Sequence, residues 1–408
     1  MVAHQAEIIV AGHICLDIIP TLREDPSRAE DLFSSGRLVR VGPATLALGG
    51  CVANTGIALH CLGASVRLLG KLGDDLLGFT LLESLRQYGA RLSEDMVVAP
   101  GEATSYTVVL NPPGVDRSFL HCAGANDTFA ATNLQELATS GARILHFGYP
   151  PLMRNVIADG GVGLASAFQS IACEGTLVSL DMARPDRSDA EETVDWKKWL
   201  TAVLPHVDLF LPSFDEILLM LDRSLFEELS HAATGENLAA LVDLLLLERL
   251  ADELIELGAP IVVIKLGDHG LYLQTSERTS QLLSVRAAWQ DFDWGAWEDL
   301  RALCPCFDVD VVGTTGAGDC AITGLLMALL RGCNPEQALR SATAVGVLCV
   351  QESGRHKQYP CLGRRRGDGK RPRPPATADN EFASFNCFVE CRRPSCCSKA
   401  NETDIVEA

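Results

Sequence analysis

Apolar and polar positions along this chain follow two periods. Short apolar runs at 7–11, 142–147, 176–180, 207–211, 260–264 and 307–312 have the length of strands. Between them, residues 76–88, 237–257 and 320–330 have the length and apolar spacing of helices. This alternation predicts an α/β fold with helices packed on a mostly parallel sheet. Two stretches, 21–47 and 97–121, break it with Thr, Ser, Val and Pro, and read as short strands of a separate β element, a lid. No repeat with a period of about 20 to 50 residues runs through the chain, which excludes a solenoid or propeller.

The texture changes after residue 354. The run from Arg364 to Pro375 is Arg, Lys, Gly and Pro with one Asp, and cannot supply a packed core. The expected organisation is one domain over 1–360, with lid segments at about 18–48 and 97–122, and a basic, Cys-containing, disordered tail over 361–408.

Composition narrows the function classes. Of 408 residues, 47% are hydrophobic and 21% charged, the balance of a folded protein rather than a disordered chain. The net charge of -19 argues against a general partner in nucleic acid or an anionic membrane. Basic character is confined to residues 355–408, which hold 11 Lys or Arg against 7 Asp or Glu. The N-terminus lacks the basic and apolar regions of a leader, and no window carries the ~18 apolar residues of a membrane span, so a cytoplasmic protein is expected. Fifteen cysteines are present; those before residue 355, such as Cys15, Cys51, Cys173 and Cys349, have apolar neighbours and read as reduced core thiols. Cys387, Cys391, Cys396 and Cys397 form no zinc motif: they lack a C-x-x-C pair, and no His follows His356.

The most informative segment runs Val-Val-Gly-Thr-Thr-Gly-Ala-Gly-Asp-Cys-Ala over 311–321, an expected strand entering a glycine-rich turn and a helix. Backbone amides of Gly316, Ala317 and Gly318 at a helix N-terminus could hold the oxygens of a transferring phosphoryl group. Asp319 would then face the attacking hydroxyl and accept its proton as the oxygen attacks phosphorus. On this segment alone, a plain turn with Asp319 as cap stays open. Asp17, after Gly12, and Asn54, after Gly49-Gly50, stand where a polyhydroxy ligand could hydrogen-bond, although ending a strand and capping a helix explain them too.

Together with Gly73-Asp74-Asp75-Leu76-Leu77-Gly78, these motifs resemble in order and spacing the two signatures of the ribokinase-like (PfkB) family of carbohydrate kinases, over about residues 7–354. The resemblance implies a three-layer α/β/α sandwich with a central, mostly parallel sheet and a small β lid. It implies ATP- and Mg²⁺-dependent phosphotransfer to a hydroxyl of a sugar or related alcohol. Carried over by position, Asp319 is the catalytic base and Gly316, Ala317 and Gly318 the anion hole; Asp17, Gly49, Gly50 and Asn54 bind the acceptor. Ser213, Lys265, Gly267, Gly270, Thr315 and Thr343 are the ATP contacts, and Glu216 organises Mg²⁺ through water. Asp74 and Asp75 fit the signature and equally fit a helix cap. The family's lid edge can pair two subunits, and the residues leave homodimerisation open.

The chain also departs from the family pattern. Ser213 and Thr343 stand where Asn is frequent, and Ala183 removes the Asn from an Asp-x-Asn-x-Arg element, leaving Arg184 as either a phosphate contact or a surface residue. Gly313 replaces an Asp that helps bind a monovalent cation in many members, which argues against activation by K⁺. Arg117 and the 124–126 turn are candidate acceptor contacts in the lid. A non-catalytic sugar- or nucleotide-binding regulator of the same fold is the alternative function. A dinucleotide-dependent oxidoreductase lacks its G-x-G-x-x-G after the first strand.

Overall fold

The computed structural model describes residues 6–22, 35–36, 38–111, 118–137, 141–185, 194–233, 238–351 and 388–391, the last four and 135–137 by backbone alone. Its centre is a nine-stranded sheet. Ile8–Gly12 runs parallel to Val66–Leu69 on one side and to Ile144–Gly148 on the other. Leu177–Asp181, Leu209–Phe210 and Ile261–Lys265 continue the parallel order. Leu271–Thr275, Leu300–Cys304 and Phe388–Cys391 then complete the sheet antiparallel to their neighbours.

Every residue of Ile8–Gly12 is buried because helices cover both faces of the sheet. The period of two divides its side chains. Ile8 and Val10 join a core with the helices Gly50–Cys61, Leu76–Tyr88, Ala317–Leu330 and Pro335–Gln351, while Ile9 and Ala11 face Val162–Cys173, Trp196–Val203, Phe214–Leu221 and Leu244–Glu256. The result is three layers. In register, Gly12, Gly148 and Asp181 stand side by side at the carboxyl ends of parallel strands, the edge where open α/β sheets bind ligands.

A second sheet has four strands in the order Ala44–Gly49, Cys15–Pro20, Tyr106–Leu110 and Ser118–Cys122. The chain leaves the central strand at Gly12 and enters this sheet three residues later at Cys15, so the two sheets are tied at one corner.

Several expectations need correction. Residues 307–312 form no strand: Val311 and Val312 are 60% and 57% exposed, and Val312 and Gly313 instead donate backbone bonds to the Val350 carbonyl. The nearest strand lies just before them, at Leu300–Cys304. The 237–257 pattern is two elements, a short turn of helix at Leu238–Leu241 and the helix Leu244–Glu256, separated because the Asp243 carboxylate caps the Leu246 amide at 2.8 Å. Val97–Ala99 pairs with Lys71–Gly73 in a ribbon apart from the second sheet. Cys173 is exposed at the end of its helix. Within 21–47, residues 23–34 and 37 lie outside the described residues, as do Arg117 and, except for 388–391, the tail.

Candidate active site

The turn before the Ala317–Leu330 helix ends on Gly316, whose φ of +80° belongs to the left-handed region. The first amides of a helix have no partner within it. Of these, Ala317 N–H donates to the Thr314 carbonyl at 3.2 Å, closing the turn. The helix then places Asp319 in its first turn, only 3% exposed.

Four hydrogen bonds converge on the Asp319 carboxylate. Asn54 Nδ2 donates to Oδ2 at 2.9 Å and Thr55 Oγ1 to Oδ1 at 3.4 Å, both from the Gly50–Cys61 helix. The Tyr149 hydroxyl donates to Oδ1 and Oδ2 at 2.9 and 2.8 Å. Burial, then the nearby Asp319 carboxylate, pushes the Tyr149 phenol well above its ordinary range, so it stays protonated and donates.

Gly49 and Gly50 bring the start of the Gly50–Cys61 helix against Asp17. A Cβ on Gly49 would stand 2.5 Å from Asp17 Oδ1, and one on Gly50, at φ +82°, would stand 2.6 Å from the His13 carbonyl. Asp17 is buried and accepts a hydrogen bond from Cys15 Sγ at 3.5 Å. His13 lies between the sheets, its ring centroid 5.1 Å from that of His121 and 6.0 Å from that of Tyr149. Burial, helped by His121, lowers His13 to about 3, so its imidazole is neutral. In the 124–126 turn, Asn126 binds both backbone groups of Ile14 and braces the link between the two sheets.

Lys265 ends the Ile261–Lys265 strand with its Nζ 2.5 Å from Asp181 Oδ1 and 3.8 Å from where a Cβ on Gly318 would stand. This puts a half-buried ammonium beside the glycine turn. Burial works to lower it, but Asp181 and Glu216 outweigh burial and hold the Lys265 ammonium above its ordinary range. Burial in turn raises Asp181 to about 8 against the pull of Lys265, and raises Glu216 as well. The two carboxyls thus raise Lys265, while burial raises the carboxyls themselves.

Other expected site residues serve the backbone first. Ser213 and Glu216 form a reciprocal capping box, with Ser213 N–H donating to Glu216 Oε2 at 2.7 Å. Ser213 also bridges Lys265 along the strand edge, which brings Glu216 into the same cluster. Thr343 is buried, and its hydroxyl bonds the carbonyls of Leu339 and Arg340 in its own helix. Gly267 and Gly270 bound the turn after Lys265, and Thr315 offers its carbonyl to Cys349 Sγ at 3.6 Å. Asp75 caps Gly78, and Asp74 binds the Gly101 amide. The Arg184 guanidinium stacks on Phe226 at 5.0 Å.

Tyr149, Thr55, Asp181 and the His13–His121 pair are contacts that sequence reasoning assigned no role. The only local hint at Tyr149 is its place just after the Ile144–Gly148 strand, at the ligand-binding edge of the sheet.

A glycine-rich helix N-terminus with a buried carboxylate in its first turn is an arrangement that phosphoryl transfer could use. The model of the pfkB family of carbohydrate kinases matches residues 5–292 and 296–360. The chain belongs to that family and is an ATP-dependent carbohydrate kinase. It is 25% identical over 306 residues to an uncharacterized sugar kinase of Archaeoglobus fulgidus, an alignment covering 74% of this chain and 98% of that one. It is 24% identical over 362 residues to ribokinase of Arabidopsis thaliana, covering 86% and 78%. The solved structure of Arabidopsis thaliana ribokinase complexed with ribose and ATP shares the fold, with a TM-score of 0.58, 19% identity and coverage of 86% of this chain and 94% of that one. The structure of a nucleoside kinase from Methanocaldococcus jannaschii gives a TM-score of 0.55 at 18% identity, covering 86% and 93%.

Proposed function

We propose that this kinase transfers the γ-phosphate of ATP to a hydroxyl of a sugar or related alcohol, with Asp319 as the base and Gly316–Gly318 as the anion hole. The observation that carries the reading is the buried Asp319 carboxylate in the first turn of the helix that Gly316 opens. An alcohol is too weak an acid to ionise beforehand, so Asp319 orients it and takes its proton as the oxygen attacks. Asp17 and the Gly49–Gly50 backbone hold the acceptor's other hydroxyls, and Asn54 aligns the base from 2.9 Å. The second sheet closes as the lid and excludes water.

The residues suit ATP with Mg²⁺. Lys265, beside Gly318, supplies positive charge for the phosphates, and the 267–270 turn lies next to it on the nucleotide side. Mg²⁺ supplies further charge neutralisation when bound. Among the described residues, no three His, Cys, Asp or Glu converge on a point, so Glu216 acts on the ion through water. Leu46, Ile18, Val108 and Leu120 form a row across the lid, its ends about half exposed, and a homodimer would cover it.

ADP release with ATP and Mg²⁺ across sugars, sugar acids, polyols and nucleosides tests the proposal. Acceptor-dependent ADP is the expected result. Tight ATP binding with no turnover on any acceptor would favour the regulator reading instead.

A further inference from the structure

We infer that the Tyr149 phenol holds Asp319 in the resting enzyme, standing where the acceptor's hydroxyl must arrive, and thereby keeps water from being phosphorylated. The inference rests on the reading of Asp319 as the base. Three observations carry it. The phenol spans both carboxylate oxygens, at 2.9 and 2.8 Å, while Asn54 and Thr55 take a further position on each. The anion-hole amide of Ala317 is likewise occupied, by the Thr314 carbonyl. Tyr149 also sits at φ +66°, a left-handed conformation that a non-glycine residue adopts at a cost, and the bond from its amide to the Asp181 carbonyl at 3.3 Å helps fix it there.

The base and one anion-hole amide are therefore satisfied internally, and a reacting hydroxyl must displace the phenol. Water offers one hydroxyl and nothing else, so it gains no more than the bond it replaces. A polyhydroxy acceptor brings the remaining contacts at Asp17 and the Gly49–Gly50 turn, and that binding energy drives the exchange. In the idle reaction, water oxygen bonds to the γ-phosphorus, the bond to the β–γ bridging oxygen breaks, ADP leaves, and the water's proton passes to Asp319 and then to solvent. Tyr149 acts through Asp319 and is a positioning residue.

The test measures ADP release with ATP and Mg²⁺ and no acceptor, in the intact protein and in Tyr149→Phe, Tyr149→Asn, Asp319→Asn and the Tyr149→Phe/Asp319→Asn double variant. Asn tolerates the left-handed backbone, so the second substitution keeps the experiment informative if Phe perturbs folding. Folding and ATP binding are followed in parallel by thermal unfolding and titration. Both Tyr149 variants should raise idle ADP release about ten-fold or more, as expected for loss of a hydrogen bond to a charged group. The double variant should abolish that rise. A purely structural role would lower the rate, so an unchanged or reduced idle rate in folded Tyr149 variants overturns the inference alone. A rise that survives in the double variant overturns Asp319 as the base, and this inference with it.

Discussion

The Asp319 carboxylate and the Asn54 side-chain amide, 265 positions apart in the chain, meet at 2.9 Å. Each lies near the start of a helix, and the two helices share the core on one face of the sheet. The contact thus couples the helix that carries the proposed base to the one that begins at the glycines proposed to bind the acceptor. Asn54→Ala removes a donor from a buried carboxylate, and leaving such a group underpaired costs about 1–3 kcal/mol. We expect a loss of that size in denaturant unfolding, with kcat falling more than KM rises. A KM effect alone would make Asn54 purely an acceptor contact.

Lys265 separates catalysis from stability. Removing one partner of a buried ion pair often costs about 3–5 kcal/mol because a charge is stranded. Here Asp181 already sits at about 8 and can stay neutral when its partner is gone. Lys265→Met should therefore cost only about 1–3 kcal/mol in stability, while phosphate-dependent turnover falls about 100-fold or more. Steady-state kinetics beside urea unfolding would resolve the two. Equal turnover with Met would remove Lys265 from the phosphate site.

The two left-handed glycines predict different outcomes. A Cβ on Gly50 would stand 2.6 Å from the His13 carbonyl, whereas a Cβ on Gly316 meets nothing closer than 3.8 Å. Gly316→Ala carries only the backbone penalty of roughly 1–2 kcal/mol. Gly50→Ala adds a clash with fixed backbone and should cost at least about 1 kcal/mol more. Acceptor binding should be lost while ATP still binds. Thermal unfolding of the pair checks the order.

Stability should fall on both sides of an optimum near neutral pH. Burial lowers His13 and His146 to about 3 each, so the unfolded chain takes up protons below about pH 6.5 that the folded chain refuses. Unfolding is favoured increasingly as pH drops toward 3. Asp181 works in the opposite sense: folded, it keeps its proton up to about 8, while the unfolded carboxyl ionises near 4, so its contribution declines as pH rises between those values. In urea midpoints against pH, His146→Leu should flatten the acid limb and Asp181→Asn the alkaline limb.

The sequence carried the α/β alternation because strands buried on both faces read as unbroken apolar runs, as Ile8–Gly12 does. The glycine turns were legible because few residues can occupy them, and Gly316 and Gly50 do have positive φ. The 307–312 segment misled because Val311 and Val312 suggest a strand, while the Val312 and Gly313 amides bond the end of a helix at Val350. Lys265 reads as one cation on a strand. Its pairing with Asp181 arises only when two strand ends are brought together across the Leu209–Phe210 strand. Tyr149 was invisible for a similar reason: its role depends on a backbone angle and on a partner 170 positions away.

Phosphorylated acceptor formed by Asp319→Asn, measured by mass beside the unmodified enzyme at matched ATP occupancy, tests the account most directly. A positioned general base contributes about 10²–10⁴-fold. The variant should fold, bind ATP with unchanged affinity, and form product more slowly by a factor in that range. Product formed at an equal rate would contradict the assignment of the base and the reading of the site built on it.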